Sequence, residues 1–312
     1  MQLKFLTATV IFLAAESVLA QQVSTVWQVK RSSLIHCLDF SPDDATLAVA
    51  YRDGYIELCD VASGSATAKS IQQKSSVVHL QFSPDGTSIA TIDAKETFTV
   101  WNSSLQNQLM QWKQPKANCF QFKKDGGSIV VGSWGGTLDL VEINDRSKDR
   151  TVKKDITTNS VAWSPDGKLI ACGQWPDTIE VFDVATLKLV FKLERHHKYF
   201  PYIAFSPDGK TLAIGGYDEV MLTNIENPIE PIRLEADLHG VSQIGFSSNG
   251  LLFAAIDFYS TTIWNLANQT VIATIPHQQD PKNSIGVSMA FAHNGKYLSL
   301  SNSKGISMWK LP

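Results

Sequence analysis

Metal binding and nucleophilic catalysis in this 312-residue chain would fall to seven histidines and four cysteines. The histidines are His36, His79, His196, His197, His239, His277 and His293; the cysteines are Cys37, Cys59, Cys119 and Cys172. Cys37, His79 and Cys119 recur at one equivalent position, a donor set of the type zinc accepts. Zinc holds its ligands at about 2.0–2.3 Å, however, and neighbouring structural units carry equivalent atoms too far apart for that. We therefore read these residues as small polar packing and assign no metal. The chain has no nucleophile elbow, phosphate loop, His-Glu-x-x-His or paired-cysteine zinc pattern, so no catalytic residue and no cofactor is assigned.

Any functional residue must be positioned by a repeated element. AFSPDGKTLAIGG, residues 204–216, is nearly restated near residues 40, 82 and 163. With its opening aromatic as a marker the chain reads Phe40, Phe82, Phe122, Trp163, Phe205, Phe246 and Phe291, in steps of 42, 40, 41, 42, 41 and 45 residues. A sustained period of this size with strand-like alternation predicts an all-β propeller with one four-stranded blade per unit. Seven markers predict seven blades. Ser-Pro-Asp-Gly is a turn, because Pro presets φ, Asp bonds its own backbone and Gly accepts positive φ. An apolar-polar pair ends the third strand 18 or 19 residues after each marker, as in Trp101-Asn102 and Phe182-Asp183. The last unit contains three strands, and an orphan strand-like run at 23–29 precedes the first marker. That run is expected to complete the last blade and close the ring.

These turns and Trp-Asp-like pairs resemble the WD40 repeat family over residues 23–312. The resemblance implies a rigid interaction platform rather than an enzyme. Family members carry a Gly-His pair whose His joins an Asp and a Ser in a buried network. Here only Arg195-His196-His197 is suitably placed, and only Asp53 and Asp218 occupy the Asp position, so blades held mainly by apolar packing are expected.

One set of positions stands out against this frame. The crests of the loops between second and third strands carry Arg52, Ala94, Trp134, Trp175, Tyr217, Phe258 and Ser303. Trp134, Trp175, Tyr217 and Phe258, on blades 3–6, form an aromatic arc. Arg52 and the connection containing His196, His197 and Tyr199 are read as its flanks. Large rings at a surface give much contact area for little lost entropy. Rings lying flat on neighbouring loops are the alternative.

Residues 1–20 have one Lys, an apolar run and small residues before Gln21, the pattern of a secretory signal peptide, which leaves a propeller over 21–312. The expected location is secreted, with a cytoplasmic protein as the alternative. Two sequons, at Asn102 and Asn268, are candidate glycosylation sites. Cys37 and Cys59 lie two strands apart, about 9.6 Å, beyond disulfide reach, and four free buried thiols are expected. A net charge of −3 argues against nucleic acid, and the apolar run is too short to span a bilayer. The leading expectation is a protein or peptide partner bound on the aromatic face. A glycan is the runner-up, for which Asp53, Asp218, Asp237 and Asp257 are the carboxylates near that face, with no convincing pair among them.

Overall fold

A computed structural model describes residues 23–31, 33–195, 199–228, 230–277, 287–302 and 305–312. The proposed leader, His196, His197 and Ser303 lie outside the described residues. The chain is an all-β propeller. In the first unit Ile35–Phe40, Thr46–Tyr51, Tyr55–Asp60 and Ala66–Gln72 form an antiparallel sheet in sequence order. The first strand of each unit faces the axis. These inner strands touch in succession, and the last meets the first.

The described strands form six sheets rather than the expected seven. The difference lies in the third and fourth units, which share one six-stranded sheet. Strand Ser128–Glu142 pairs through its first half with Ala117–Phe122 and through its second half with Arg150–Trp163. Arg150–Trp163 then continues, without a proline or glycine to break it, to pair with Leu169–Gln174. A strand of 14 residues thus serves as the outer strand of one unit and the inner strand of the next.

The ring closes as the orphan run suggested. Ser24–Lys30 pairs antiparallel with Gly305–Lys310. Trp27 fixes this strand to the first unit: its indole N–H donates to the Val61 carbonyl at 2.8 Å, and its ring lies against Gly64. A Cβ at Gly64 would stand 2.7 Å from that ring, and the residue has φ +69°, so both space and backbone require glycine. A second tie crosses the same seam. Asp44 replaces the glycine of its turn, adopts φ 58°, and accepts the backbone N–H groups of His293 and Asn294 at 2.6 and 2.7 Å.

The repeated phrase has a side-chain reason. In the turn at Ser41 the hydroxyl donates to Asp43 at 2.5 Å and accepts the Thr46 N–H at 2.9 Å, while Asp43 accepts the Ala45 N–H. Ser83 with Asp85, Ser164 with Asp166, and Ser206 with Asp208 repeat the arrangement. The serine hydroxyls hold these aspartates below the ordinary carboxylate range.

Seven apolar clusters fill the interior, and each draws on two successive units. Polar ties between the units add to this apolar packing. Asp53 and Asp218 are exposed. Polar side chains from the connections, and one from the long shared strand, make junctions in their place. Arg31 donates to Glu57 at 2.6 Å, Gln73 to Thr91 at 2.9 Å, Gln114 to Asp139 at 2.9 Å and Lys153 to Glu180 at 2.5 Å. Nearer the axis, the N–H groups of Phe82, Phe122 and Trp163 donate to Asp39, Gln81 and Gln121 of the preceding unit, at 2.8, 3.0 and 2.6 Å.

The connection between the fourth and fifth units carries the most buried of these ties. Arg195 is 7% exposed, lies 2.5 Å from Glu219 and 3.7 Å from Asp177, and donates its backbone N–H to the Asp177 carbonyl at 3.0 Å. Asp177 follows Trp175 by two residues and Glu219 follows Tyr217 by two, so one guanidinium spaces two of the aromatic crests. Gly216 makes room for it, since a Cβ there would fall 2.4 Å from Arg195 Nη2. Arg195, which the sequence offered only beside the Gly-His position, is buried as a strut. Removing the cation from a buried pair costs about 3 kcal/mol or more, so Arg195→Met should lower the thermal midpoint clearly, whereas Lys192→Met at the exposed Lys192–Glu194 pair should not. Equal midpoints for the two variants would contradict the strut.

Acid should weaken the junctions as well. His79 accepts the Phe120 N–H at 3.3 Å, and burial lowers its pKa from 6.5 to about 4; burial lowers His277 likewise to about 4. A histidine with a depressed folded pKa contributes stability that is present above its unfolded value and is lost as pH falls from 6.5 toward 4. Asp39, raised by burial to about 7, acts in the opposite sense, losing its contribution as pH rises through 7. The difference between wild type and His79→Gln isolates the histidine. Urea midpoints at pH 7 and pH 5 should fall less with acid in the variant, and identical slopes would refute the assignment.

Candidate aromatic binding face

The loops between second and third strands share one face of the disc with the connections between units. The four aromatic crests are all exposed there: Trp134 by 55%, Trp175 by 44%, Tyr217 by 49% and Phe258 by 49%. Their backbones are held. The N–H groups of Trp134, Trp175 and Phe258 donate to the carbonyls of Lys116, Thr157 and His239, at 2.9, 2.9 and 3.0 Å. Each acceptor lies on the connection or strand entering the same unit, so these three crests are tied back to their own bases, whereas the Tyr217 carbonyl accepts the Gly240 N–H of the next connection at 2.5 Å. Asp257 completes the Phe258 loop by accepting the N–H groups of Tyr259 and Ser260, both at 2.7 Å.

The rings also organise one another. Phe200 lies between the two tryptophans, with its centroid 6.4 Å from Trp134 and nearly parallel to it, and 4.9 Å from Trp175. Tyr199 meets Tyr217 edge-on at 5.4 Å, and burial raises the Tyr199 hydroxyl to about 12, leaving it a neutral donor. Phe258 covers Gly240, where a Cβ would fall 2.2 Å from the ring. Trp134, Trp175 and Phe200 thus form one contiguous group, and Tyr199 with Tyr217 forms another beside it. Arg52 is exposed, but among the described residues no cation–π contact joins it to these rings.

Two residues add to this face. Phe200 was visible in the sequence only as part of a connection, and its place between the tryptophans needs the fold. Tyr259, 54% exposed and 5.3 Å from the His239 ring, stands one position past the crest and so escaped a comparison of equivalent positions.

The face opens into an axial channel of about 640 Å³ with Trp134 and Phe258 at its mouth. Cys37, His79, Cys119, Ser160, Tyr202, Gln243 and Ser288 all line it, so the position that gave the Cys-His-Cys pattern is the channel wall. Burial pushes the Cys119 thiol up to about 12 and Cys37 higher, and a zinc ligand must be a thiolate. Among the described residues no group of three or more His, Cys, Asp or Glu side chains could hold a metal. All four cysteines are buried and unpaired.

Of the carboxylates near this face, Asp53 and Asp257 serve separate turns. Asp53 accepts from Ser33 and the Tyr55 N–H, Asp257 is 2% exposed and bonded to backbone, and the Asp237 side chain is 96% exposed. Of the sequons, Asn268 is exposed, with the Thr270 hydroxyl donating to it at 2.8 Å. Asn102 is half-buried; its amide donates to Ser104, and its oxygen accepts the N–H groups of Gln106 and Asn107. Among the described residues no helix is long and apolar enough to cross a membrane.

Two family descriptions match parts of the chain: the anaphase-promoting complex subunit 4 WD40 domain over residues 10–85, and the WD domain, G-beta repeat, over residues 147–183. Among curated proteins, Telomerase protein component 1 of Mus musculus is 24% identical over 166 residues, covering 50% of this chain and 6% of that protein. Periodic tryptophan protein 2 of Arabidopsis thaliana is 28% identical, covering 52% and 19%. WD repeat-containing protein VIP3 of Arabidopsis thaliana is 26% identical, covering 50% and 41%. The chain spans less than half the length of each of these relatives. The period, the turns, the ring of sheets and these matches together support a WD40-repeat β-propeller.

Proposed function

We propose that this propeller is a non-enzymatic interaction platform that binds a protein or peptide segment across the aromatic face of its third to sixth units. WD40 propellers generally act as scaffolds. The observation that carries the finer reading is the half-exposure of Trp134, Trp175, Tyr217 and Phe258 on hydrogen-bonded loops. Rings fixed before binding lose little entropy on contact, and the contiguity of Trp134, Phe200 and Trp175 separates them from apolar residues scattered over a surface. Arg52 and the segment containing His196 and His197 are read as the polar rim, and Tyr199 as a support for Tyr217. The aromatic rings would also stack on a sugar, but Asp53 and Asp257 are committed to their own turns, which favours a protein partner over a glycan. Trp134→Ala with Trp175→Ala should leave the thermal midpoint within a few degrees of wild type and abolish partner binding. A double variant that unfolds would mark the rings as structural.

The compartment has two readings. The leader-like residues 1–20 and the exposed Asn268 favour secretion, with cleavage before Gln21. The relatives favour an intracellular scaffold, because a matched family and another relative, Transcription initiation factor TFIID subunit 5 of Caenorhabditis elegans, are named as subunits of assemblies. The intact mass of the protein from culture medium and from cell lysate of its source separates them. Secretion requires a species in the medium that begins at Gln21, and full-length protein confined to the lysate would exclude it.

A further inference from the structure

The opposite face, where the Ser-Pro-Asp-Gly turns lie, contains a groove that the aromatic face does not explain. It lies between the fifth and sixth units and has a volume of about 580 Å³, within the usual range for ligand sites. The corresponding groove between the first and second units is half as large, about 290 Å³. The cause is local. The outer strand of the fifth unit is only Ile232–Leu234, three residues, whereas that of the first unit has seven. Pro228 and Pro231 both precede this short strand and have no N–H to donate to a ladder. Ile232 pairs with Leu222, and beyond that point the Thr223 hydroxyl donates to the Pro228 carbonyl at 3.0 Å in place of strand pairing.

The shortened strand uncovers an apolar floor of Leu222, Phe246 and Leu266, with Ile232 exposed by 47% at its edge. Leu251, 58% exposed beside the groove, stands where the third, fourth and fifth units carry Gly, Lys and Lys after the turn glycine. Two carboxylates, Asp208 and Glu230, line the groove, and among the described residues no cationic side chain lines it, although the Lys210 charge acts on Asp208. Asp208 is held ionised by the Ser206 hydroxyl and the Lys210 N–H.

The geometry points to a second docking site, independent of the aromatic face, for a short extended peptide segment with an aliphatic anchor beside a Lys or Arg. The aliphatic side chain occupies the floor and the cation sits between Asp208 and Glu230. An acidic or wholly apolar segment would leave the two carboxylates uncompensated at the contact.

Panning a phage-displayed random heptapeptide library on the full chain tests this. Peptides with Leu, Ile or Val beside Lys or Arg should be enriched, and the selected peptide should bind Asp208→Asn/Glu230→Gln roughly tenfold or more weakly. The turn tolerates that substitution, because the sixth unit uses Asn249 with Ser247 in the same hydrogen bonds. Ile232→Glu, at an exposed edge position, provides a second variant and should also weaken binding. Trp134→Ala/Trp175→Ala should leave it unchanged, so failure of the aromatic site and failure of this one are distinguishable. No enrichment, enrichment of acidic peptides, or binding that follows the tryptophans would overturn the proposal.

Discussion

Sheets arranged around an axis diverge toward the rim and cannot hydrogen-bond backbone to backbone across their faces, so the ring depends on what side chains do at each junction. In this protein a polar side chain from the connection reaches into the unit it enters, above an apolar cluster shared by both units. Arg31, Gln73, Gln114 and Arg195 act in this way, and Lys153 does so from the strand shared by the third and fourth units. The partner differs from junction to junction: carboxylates for the cations, an aspartate or a threonine for the glutamines. The family's usual His-Asp-Ser network is therefore one solution to a general requirement, and this chain meets the requirement with other residues.

That substitution connects fold to function at Arg195. A buried cation between two carboxylates is costly unless its geometry is fixed, and fixing it sets the spacing of the loops that bear Trp175 and Tyr217. The aromatic face is thus built on a strut instead of on mobile loops. Phe200, on the same connection, extends this order to Trp134. A surface assembled in this way is poised before any partner arrives, the condition under which half-exposed rings contribute most to binding.

Much of the fold was legible because the turn and the period are local chemistry. A serine hydroxyl, a proline, an aspartate and a glycine specify one bend wherever they occur in that order, and the alternation around them specifies strands. Closure by the N-terminal run was legible from a count of strands. The merging of two sheets was not, although its sign was present: RTVKKDITTNSVAW, residues 150–163, has no proline or glycine to end one strand and begin the next. The buried role of Arg195 was hidden for a different reason. Its partners lie 18 residues before it and 24 after it, and no periodicity in a single sequence pairs them. At the site, equivalent loop positions revealed Trp134, Trp175, Tyr217 and Phe258 together, but Phe200 and Tyr259 belong to the face only through three-dimensional proximity.

The most direct measurement of the central claim is hydroxyl-radical footprinting of Trp134 and Trp175 in the protein's native extract and in the purified chain. A binding face predicts that both indoles are oxidised readily in the purified protein and are protected in the extract, while exposed Leu109, on an outer strand far from the face, reacts alike in both. Equal oxidation of the tryptophans in the two preparations would mean that no partner covers these rings and that they are surface packing.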